Sequence, residues 1–410
     1  MTTRWCQAGK NHIWLRQDWT IQLCCSLVGD TWDHQMKLDN PKHLFRVLAK
    51  HWPETYKILE KEPLPKGKCA ICISEQEMHG TSQRTKINEL TNDGKKFFLK
   101  IDFSNKCNLK CTMCSSKRST GWIKDEQKMN KALEGDRRLE LPIAGHETLG
   151  SEWFKQIPIE WFKNLGAVEI SGGEPLYQED ALEFLEFLSI EVPDIQMRII
   201  TNTTLVDDKI LTMLGRFSRL RVLCSIDAWE NDCYQYVRGG VYELPQIKEN
   251  IIKLAKTVSG NVAVADTIHP ANYNQYDLGA KFIEKLNNDY SPKRPVRYSW
   301  SYVSKPLHLN PRTVLPEEFV PGEKNIAEQK LFYRFTSNLD KIRKQNILDI
   351  RPEFESWWNE MEKDYGSDIQ PMFDVRNNDT IEDLIKINNE MNLQTTLLDD
   401  TSFDCYCKAS

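Results

Sequence analysis

Residues 107–114 read CNLKCTMC, which places Cys107, Cys111 and Cys114 within eight positions, with no further cysteine or histidine until His146. Thiols clustered in this way are candidate metal ligands. A structural zinc site needs four protein donors to close its tetrahedron, and a ferredoxin site takes four cysteines, usually in tighter CxxC spacing. Three incidental surface thiols would be an oxidation liability. Three thiolates on one short loop can instead hold three irons of a cubane cluster and leave the fourth iron without a protein ligand. The open position is then where chemistry would occur.

Such a loop needs a rigid support, and the residues before it, FFLKIDF (97–103), have the length and apolar character of a strand. Five similar runs follow: AVEIS (167–171), IQMRIITN (195–202), RVLCSID (221–227), VAVADTI (262–268) and VRYSWSYV (296–303). Between them Ala181, Phe184, Leu185 and Leu188 fall on one helical face, as do Ile247, Ile251, Leu254, Ala255 and Val258. Alternation of strand and helix requires parallel pairing with right-handed crossovers. The fold class is therefore α/β. The stretch from Cys114 to Ala167 exceeds one crossover helix and is expected to carry an insertion. Cys224, inside the apolar run RVLCSI, reads as a core residue.

On either side of this region the composition changes. Residues 1–92 are rich in Trp and Cys, start with a hairpin-like HIWLRQDWTIQLCC, and end before the turn signal Asp93-Gly94. Residues 311–410 contain charged segments of helical composition, such as KNIAEQKLFYRFTSNLDKIRKQ. Three units are expected: 1–92, a strand-helix unit over 93–310, and a mainly helical region over 311–410.

With its strand and loop, CNLKCTMC resembles the CxxxCxxC signature of the radical S-adenosylmethionine (radical SAM) enzymes, which follows the first strand of a partial (β/α)6 TIM barrel. The resemblance implies that the fourth iron of a 4Fe-4S cluster binds S-adenosylmethionine and that one electron cleaves it to a 5′-deoxyadenosyl radical, which abstracts hydrogen from a substrate. Met113, before the last cysteine, would pack near the adenine. The second strand ends in SGGEP, similar to the family's GGEP segment, in which Gly172 and Gly173 let the backbone approach the cofactor and Glu174 receives its ammonium. ITNTT supplies Asn202 for the ribose, SIDAW supplies Ser225 and Asp227, and YVRGG supplies Arg238 for the methionine carboxylate. These motifs follow in barrel order at strand C-terminal ends, where barrel enzymes place their sites. The substrate-side catalytic groups are not identified by it. Trp14, Trp19, Trp161 and Trp229 read as core before pocket residues.

Of the 12 cysteines, Cys6, Cys24, Cys25, Cys69 and Cys72 precede the barrel. With the tail residues Glu77, Gly80, Ser82 and Arg84 they are similar to a twitch module, the shortened relative of the SPASM auxiliary-cluster domain. That likeness implies a second 4Fe-4S cluster held by Cys6, Cys24, Cys69 and Cys72. In the better-known pattern the module follows the barrel, whereas here it comes first. A zinc ribbon built on the same four cysteines is the alternative. Cys405 and Cys407, in the terminal DCYC, are left outside both sites.

Composition narrows the partners. The formal net charge is -5, and lysine and arginine are dispersed, which favours neither nucleic acid nor an anionic membrane. The opening residues lack a secretory apolar run, so a cytoplasmic protein with reduced thiols is expected. The resemblance implies as partners an external one-electron reductant such as flavodoxin or ferredoxin, and a peptide or small-molecule substrate. A non-catalytic iron-sulfur carrier or a metal-stabilised structural protein is the alternative function.

Overall fold

The computed structural model describes residues 12–22, 36–38, 96–132, 143–303 and 306–365. Among the described residues nine strands form one sheet, in the order β3-β2-β1-β4-β5-β6-β7-β8-β9. The strands are β1 (His12–Leu15), β2 (Thr20–Gln22), β3 (Met36–Lys37), β4 (Phe97–Asp102), β5 (Leu165–Ser171), β6 (Gln196–Thr201), β7 (Arg219–Ser225), β8 (Asn261–Ile268) and β9 (Arg297–Tyr302). The six expected apolar runs become β4 to β9, and each pairs in parallel with the next. Helices Glu179–Glu191, Asp208–Gly215, Leu244–Thr257 and Tyr276–Asp289 lie in the crossovers. This is the α/β architecture of a partial TIM barrel.

Strand alternation sorts the side chains. Leu99, Ile101, Val168, Ile170, Met197, Ile199, Val222, Cys224 and Val264 join the main core with Phe184, Leu188, Ile251 and Leu254 of the helices. That apolar layer is what fixes the sheet, at about 1.5–3 kcal/mol for each large side chain fully buried. The opposite face has only a small apolar cluster, Leu223, Ala263 and Ala265 with Ile200 against it. It is the inner face of the barrel.

The expected N-terminal hairpin is present, and it joins the barrel sheet. β1 runs parallel to β4 with His12 opposite Phe98 and Leu15 opposite Ile101, while β2 pairs antiparallel with β1. Ile13, Leu15 and Ile21 are buried in the main core, which accounts for this attachment. The expected boundary at 92 lies outside the described residues. The long connection between β4 and β5 holds helices Ile123–Ala132, Glu152–Lys155 and Ile159–Lys163, so the insertion is real. Residues 306–365 are helical, chiefly in Ile326–Arg343 and Glu355–Tyr365. Among the described residues no helix is long and apolar enough to cross a membrane.

Candidate active site at the strand ends

The cysteine loop leaves β4 at Asp102 and is held by polar groups that shape it from below. Asp102 is fully buried and accepts hydrogen bonds from Trp14 Nε1 at 3.1 Å, Ser171 Oγ at 2.7 Å and Arg118 Nη1 at 2.5 Å. Asn105, also fully buried, donates to the carbonyls of Ser116 and Gly145 and accepts from Glu147 N. Trp122 Nε1 donates to Cys111 O at 2.8 Å, and Cys114 N closes a turn onto the same carbonyl at 2.9 Å. Cys107, Cys111 and Cys114 are half-buried free thiols on this frame.

Burial raises the pKa of all three thiols. For Cys107 neighbouring Cys111 and Glu174 add to the rise, and Cys114 is pushed up to about 12 by burial and then by Cys111. Burial also raises Cys111, against the pull of Arg238 and Arg343. A bound cation would favour the thiolate form of all three. Among the described residues no three His, Cys, Asp or Glu side chains gather around a point for one metal ion. A cubane presents its irons at separate corners, so a set of three thiols spread along one loop suits it better than zinc.

SGGEP meets this loop directly. A Cβ on Gly172, where φ is +81°, would lie 2.6 Å from Asp102 Cβ; one on Gly173, at φ +53°, would lie 2.4 Å from Lys106 O. The close approach that requires these glycines is therefore to the cysteine loop itself. Gln178, which the motif reading missed, fastens the same junction: its Nε2 donates to Ser104 O, Lys106 O and Gly172 O at 2.9–3.0 Å. Gly173→Ala should cost about 3 kcal/mol, from left-handed backbone strain plus overpacking. Gly215→Ala, with nothing within 4 Å of the added carbon, is the control and should be neutral or slightly stabilising in urea denaturation.

Glu174 is buried and takes three neutral donors: Thr201 Oγ1 at 2.7 Å, Leu176 N at 3.0 Å and Asn202 N at 2.6 Å. Burial raises its pKa despite them. Among the described residues no lysine or arginine forms an ion pair with it, and Arg238 acts on it only from a greater distance. Asn202 sits on β6's end with its side chain engaged: Nδ2 donates to Asn108 Oδ1 at 2.9 Å and Oδ1 accepts from Thr204. Its Nδ2 also reaches Cys107 Sγ at 4.0 Å.

Asp227 and Arg238 are both buried and form an ion pair, with Ser225 Oγ 3.4 Å from the same Arg238 nitrogen. Burial opposes the Arg238 charge, and Cys111 and Asp227 outweigh it. Among the described residues its Nε has no hydrogen-bond partner. Asp227 stands at φ +70° and accepts Thr267 N at 2.7 Å while its own N donates to Asp266, tying β7 to β8. The structure thus puts Asp227 and Ser225 behind Arg238 as its supports. Gly239 and Gly240 after it are also required: a Cβ on either would lie 2.4 Å from Lys110 O or from Leu109 Cδ2. Thr112 N and Lys110 N donate to Val237 O and Arg238 O, so YVRGG is bound to the cysteine loop as an edge. Met113 is half-buried against the core beside Cys114.

The structure therefore brings Cys107, Cys111, Cys114, Gly172, Gly173, Glu174, Asn202, Ser225, Asp227 and Arg238 to one end of the sheet, at the C-terminal ends of β4 to β7 and the segments that follow, Arg238 closing the helix Asn231–Arg238. Cys6, Cys24, Cys69 and Cys72, like Cys405 and Cys407, lie outside the described residues. Trp229 is a core residue bonded to Asp266 Oδ2 at 2.6 Å. Trp14 lies on the inner face against Lys100 and Asp102.

Residues 101–276 match the Radical SAM superfamily model, so this part of the chain is similar to a Radical SAM domain. Among curated proteins, the GTP 3′,8-cyclase of Sulfurimonas denitrificans is 23% identical over 211 residues, covering 48% of this chain and 58% of the relative. The chain thus spans little more than half the length of that curated relative. Solved structures with likeness to it include Streptococcus suis SuiB bound to its precursor peptide SuiA, at 13% identity and a TM-score of 0.36, covering 84% of this chain and 74% of that one. Another is anSMEcpe with bound AdoMet, at 17% identity and a TM-score of 0.34, covering 60% and 57%.

Proposed function

We propose that Cys107, Cys111 and Cys114 hold a 4Fe-4S cluster whose fourth iron takes S-adenosylmethionine. The observation that supports this most is the meeting at one sheet end of three thiols, a buried carboxyl with neutral donors only, and a buried guanidinium with an unpartnered Nε. When bound, the cluster supplies the electron that cleaves the sulfonium of S-adenosylmethionine so that hydrogen can be taken from a substrate. Glu174 receives the ammonium and Arg238 the carboxylate, a bidentate task suited to its planar fork. Asp227 and Ser225 hold Arg238 in place, Asn202 borders Cys107 on the ribose side, and Met113 packs toward the adenine. Burial of these groups excludes water and strengthens each polar contact.

The N-terminal cysteines Cys6, Cys24, Cys69 and Cys72 would carry an auxiliary 4Fe-4S cluster in a twitch-like module, serving electron transfer or substrate binding. The electron would come from a flavodoxin or ferredoxin in the cytoplasm, and the substrate is a peptide or a small molecule. Anaerobically reconstituted protein reduced with dithionite is expected to release 5′-deoxyadenosine from S-adenosylmethionine. No release, together with no S-adenosylmethionine binding in a calorimetric titration, would favour the non-catalytic carrier. A Cys107/Cys111/Cys114 triple alanine variant should retain about half the iron and sulfide if a second cluster is present; retention of all or none would refute two clusters.

A further inference from the structure

A cation beside the thiols comes from outside the barrel strands and has no part in the proposed S-adenosylmethionine contacts. It is Arg343, the last residue of the helix Ile326–Arg343, at the end where the helix dipole favours positive charge. Leu331, Phe332, Phe335 and Leu339 bury this helix in the main core, and Phe335 stacks on Trp122, just after the thiol loop. There the Arg343 guanidinium lies over the Trp122 ring, 4.5 Å from its centroid, and Trp122 Nε1 in turn donates to Cys111 O. Its Nη1 lies 3.0 Å from where a Cβ on Gly239 would stand, next to Arg238.

The Arg343 side chain is 3% exposed, and its Nε donates to Asp125 Oδ2 at 2.9 Å. That oxygen is shared, because Lys110 of the thiol loop also reaches it, at 3.0 Å. Asp340, on the same helix, is engaged elsewhere, accepting Tyr236 Oη at 2.9 Å and Ile347 N at 2.8 Å. Among the described residues Nη1 and Nη2 of Arg343 are buried without a hydrogen-bond partner. At Cys111 burial opposes the thiolate, Arg238 and then Arg343 favour it, and Asp227 opposes it. A guanidinium keeps its charge at any ordinary pH, and its field carries further through a buried setting than through water. A four-iron cluster takes on one negative charge when reduced, so a neighbouring cation favours the reduced form; local charge is one of the factors that set such potentials.

We propose that Arg343, carried to the Cys111 corner by the C-terminal helix, raises the reduction potential of the cluster on the thiol loop, and that Asp125 moderates its charge. This rests on the proposed function, since it needs that cluster, but the readout is a potential and not turnover. Reconstituted protein would be titrated anaerobically with dithionite and the reduced cluster followed by electron paramagnetic resonance. The loop cluster is the signal absent from the Cys107/Cys111/Cys114 triple alanine variant. Arg343→Gln should lower the ratio of reduced to oxidised cluster at a given poise about tenfold, a downward shift of about 59 mV for one electron. Asp125→Asn removes the opposing carboxylate and should raise the same ratio severalfold. The opposite signs are diagnostic, because loosened packing or easier entry of water would move both variants the same way. A parental potential in a folded Arg343→Gln variant, or shifts of one sign in both variants, overturns the inference. If Arg343→Gln does not fold, Asp125→Asn decides alone: an upward shift supports the role of Arg343, and an unchanged or lowered potential overturns it. A parent without a signal that depends on the three thiols removes the proposed function and this inference together. A loop signal whose potential neither variant moves removes the inference and leaves the proposed function standing.

Discussion

Replacing Cys111 by alanine is expected to lower the rate of reductive S-adenosylmethionine cleavage by about a thousandfold or more, with loss of the iron bound by the loop. Loss of a partner that only orients a metal ligand costs about 10- to 100-fold, and removal of the ligand itself exceeds this because three thiols are the minimum that fixes three corners. Trp122→Phe supplies the intermediate case. Its indole nitrogen donates to Cys111 O at 2.8 Å, and its ring stacks against Arg343, whose guanidinium carbon lies 4.5 Å from the ring centroid. Phenylalanine keeps the packing and loses the hydrogen bond, so a fall of about tenfold is expected, with the cluster retained. Single-turnover release of 5′-deoxyadenosine measures both. A Cys111→Ala protein with parental rates would remove the loop from the mechanism.

The second large effect concerns the buried pair behind the cofactor. Asp227→Ala would leave the Arg238 guanidinium buried without its counter-charge and Thr267 N without its acceptor, at a residue with φ +70°. Breaking a buried pair from one side costs about 3–5 kcal/mol. Arg238→Gln should cost less, about 2 kcal/mol, because Asp227 keeps the Thr267 amide and lies 3.4 Å from Ser225 Oγ. For S-adenosylmethionine affinity the expectation differs, since in the proposed site Arg238 touches the ligand and Asp227 only positions it. Arg238→Gln should weaken binding by about tenfold or more, and Asp227→Asn by less. Urea denaturation and calorimetry on the same variants read the two scales. If Arg238→Gln destabilised the fold as much as Asp227→Ala and left binding unchanged, Arg238 would be a structural ion pair and nothing else.

What the sequence revealed and what it hid follow from the range of the interactions. β4 to β9 were legible because each is an apolar run of strand length bounded by helical periodicity. The site loops were legible because CNLKCTMC, SGGEP, ITNTT, SIDAW and YVRGG are local strings in a fixed order. The parallel pairing of β1 with β4 was not, since it joins residues more than eighty positions apart and a hairpin motif says nothing of its outer neighbour. Gln178 looked like an ordinary residue before a helix, yet its one amide group binds three carbonyls from two loops. Gly172 and Gly173 stood in SGGEP as places where backbone would approach a cofactor, without showing that a Cβ on them would meet Asp102 and Lys106 O. Asp227 stood in its motif without showing that its carboxylate serves Arg238 and β8.

The central claim is that three thiolates hold a cluster with one iron open to S-adenosylmethionine. Electron paramagnetic resonance of the dithionite-reduced protein, recorded with and without S-adenosylmethionine, addresses that iron directly. The account predicts a reduced-cluster signal whose g values shift when S-adenosylmethionine is added, and no such shift in the Cys107/Cys111/Cys114 triple alanine variant. An unchanged spectrum in the parent, or the same shift in the triple variant, would contradict it.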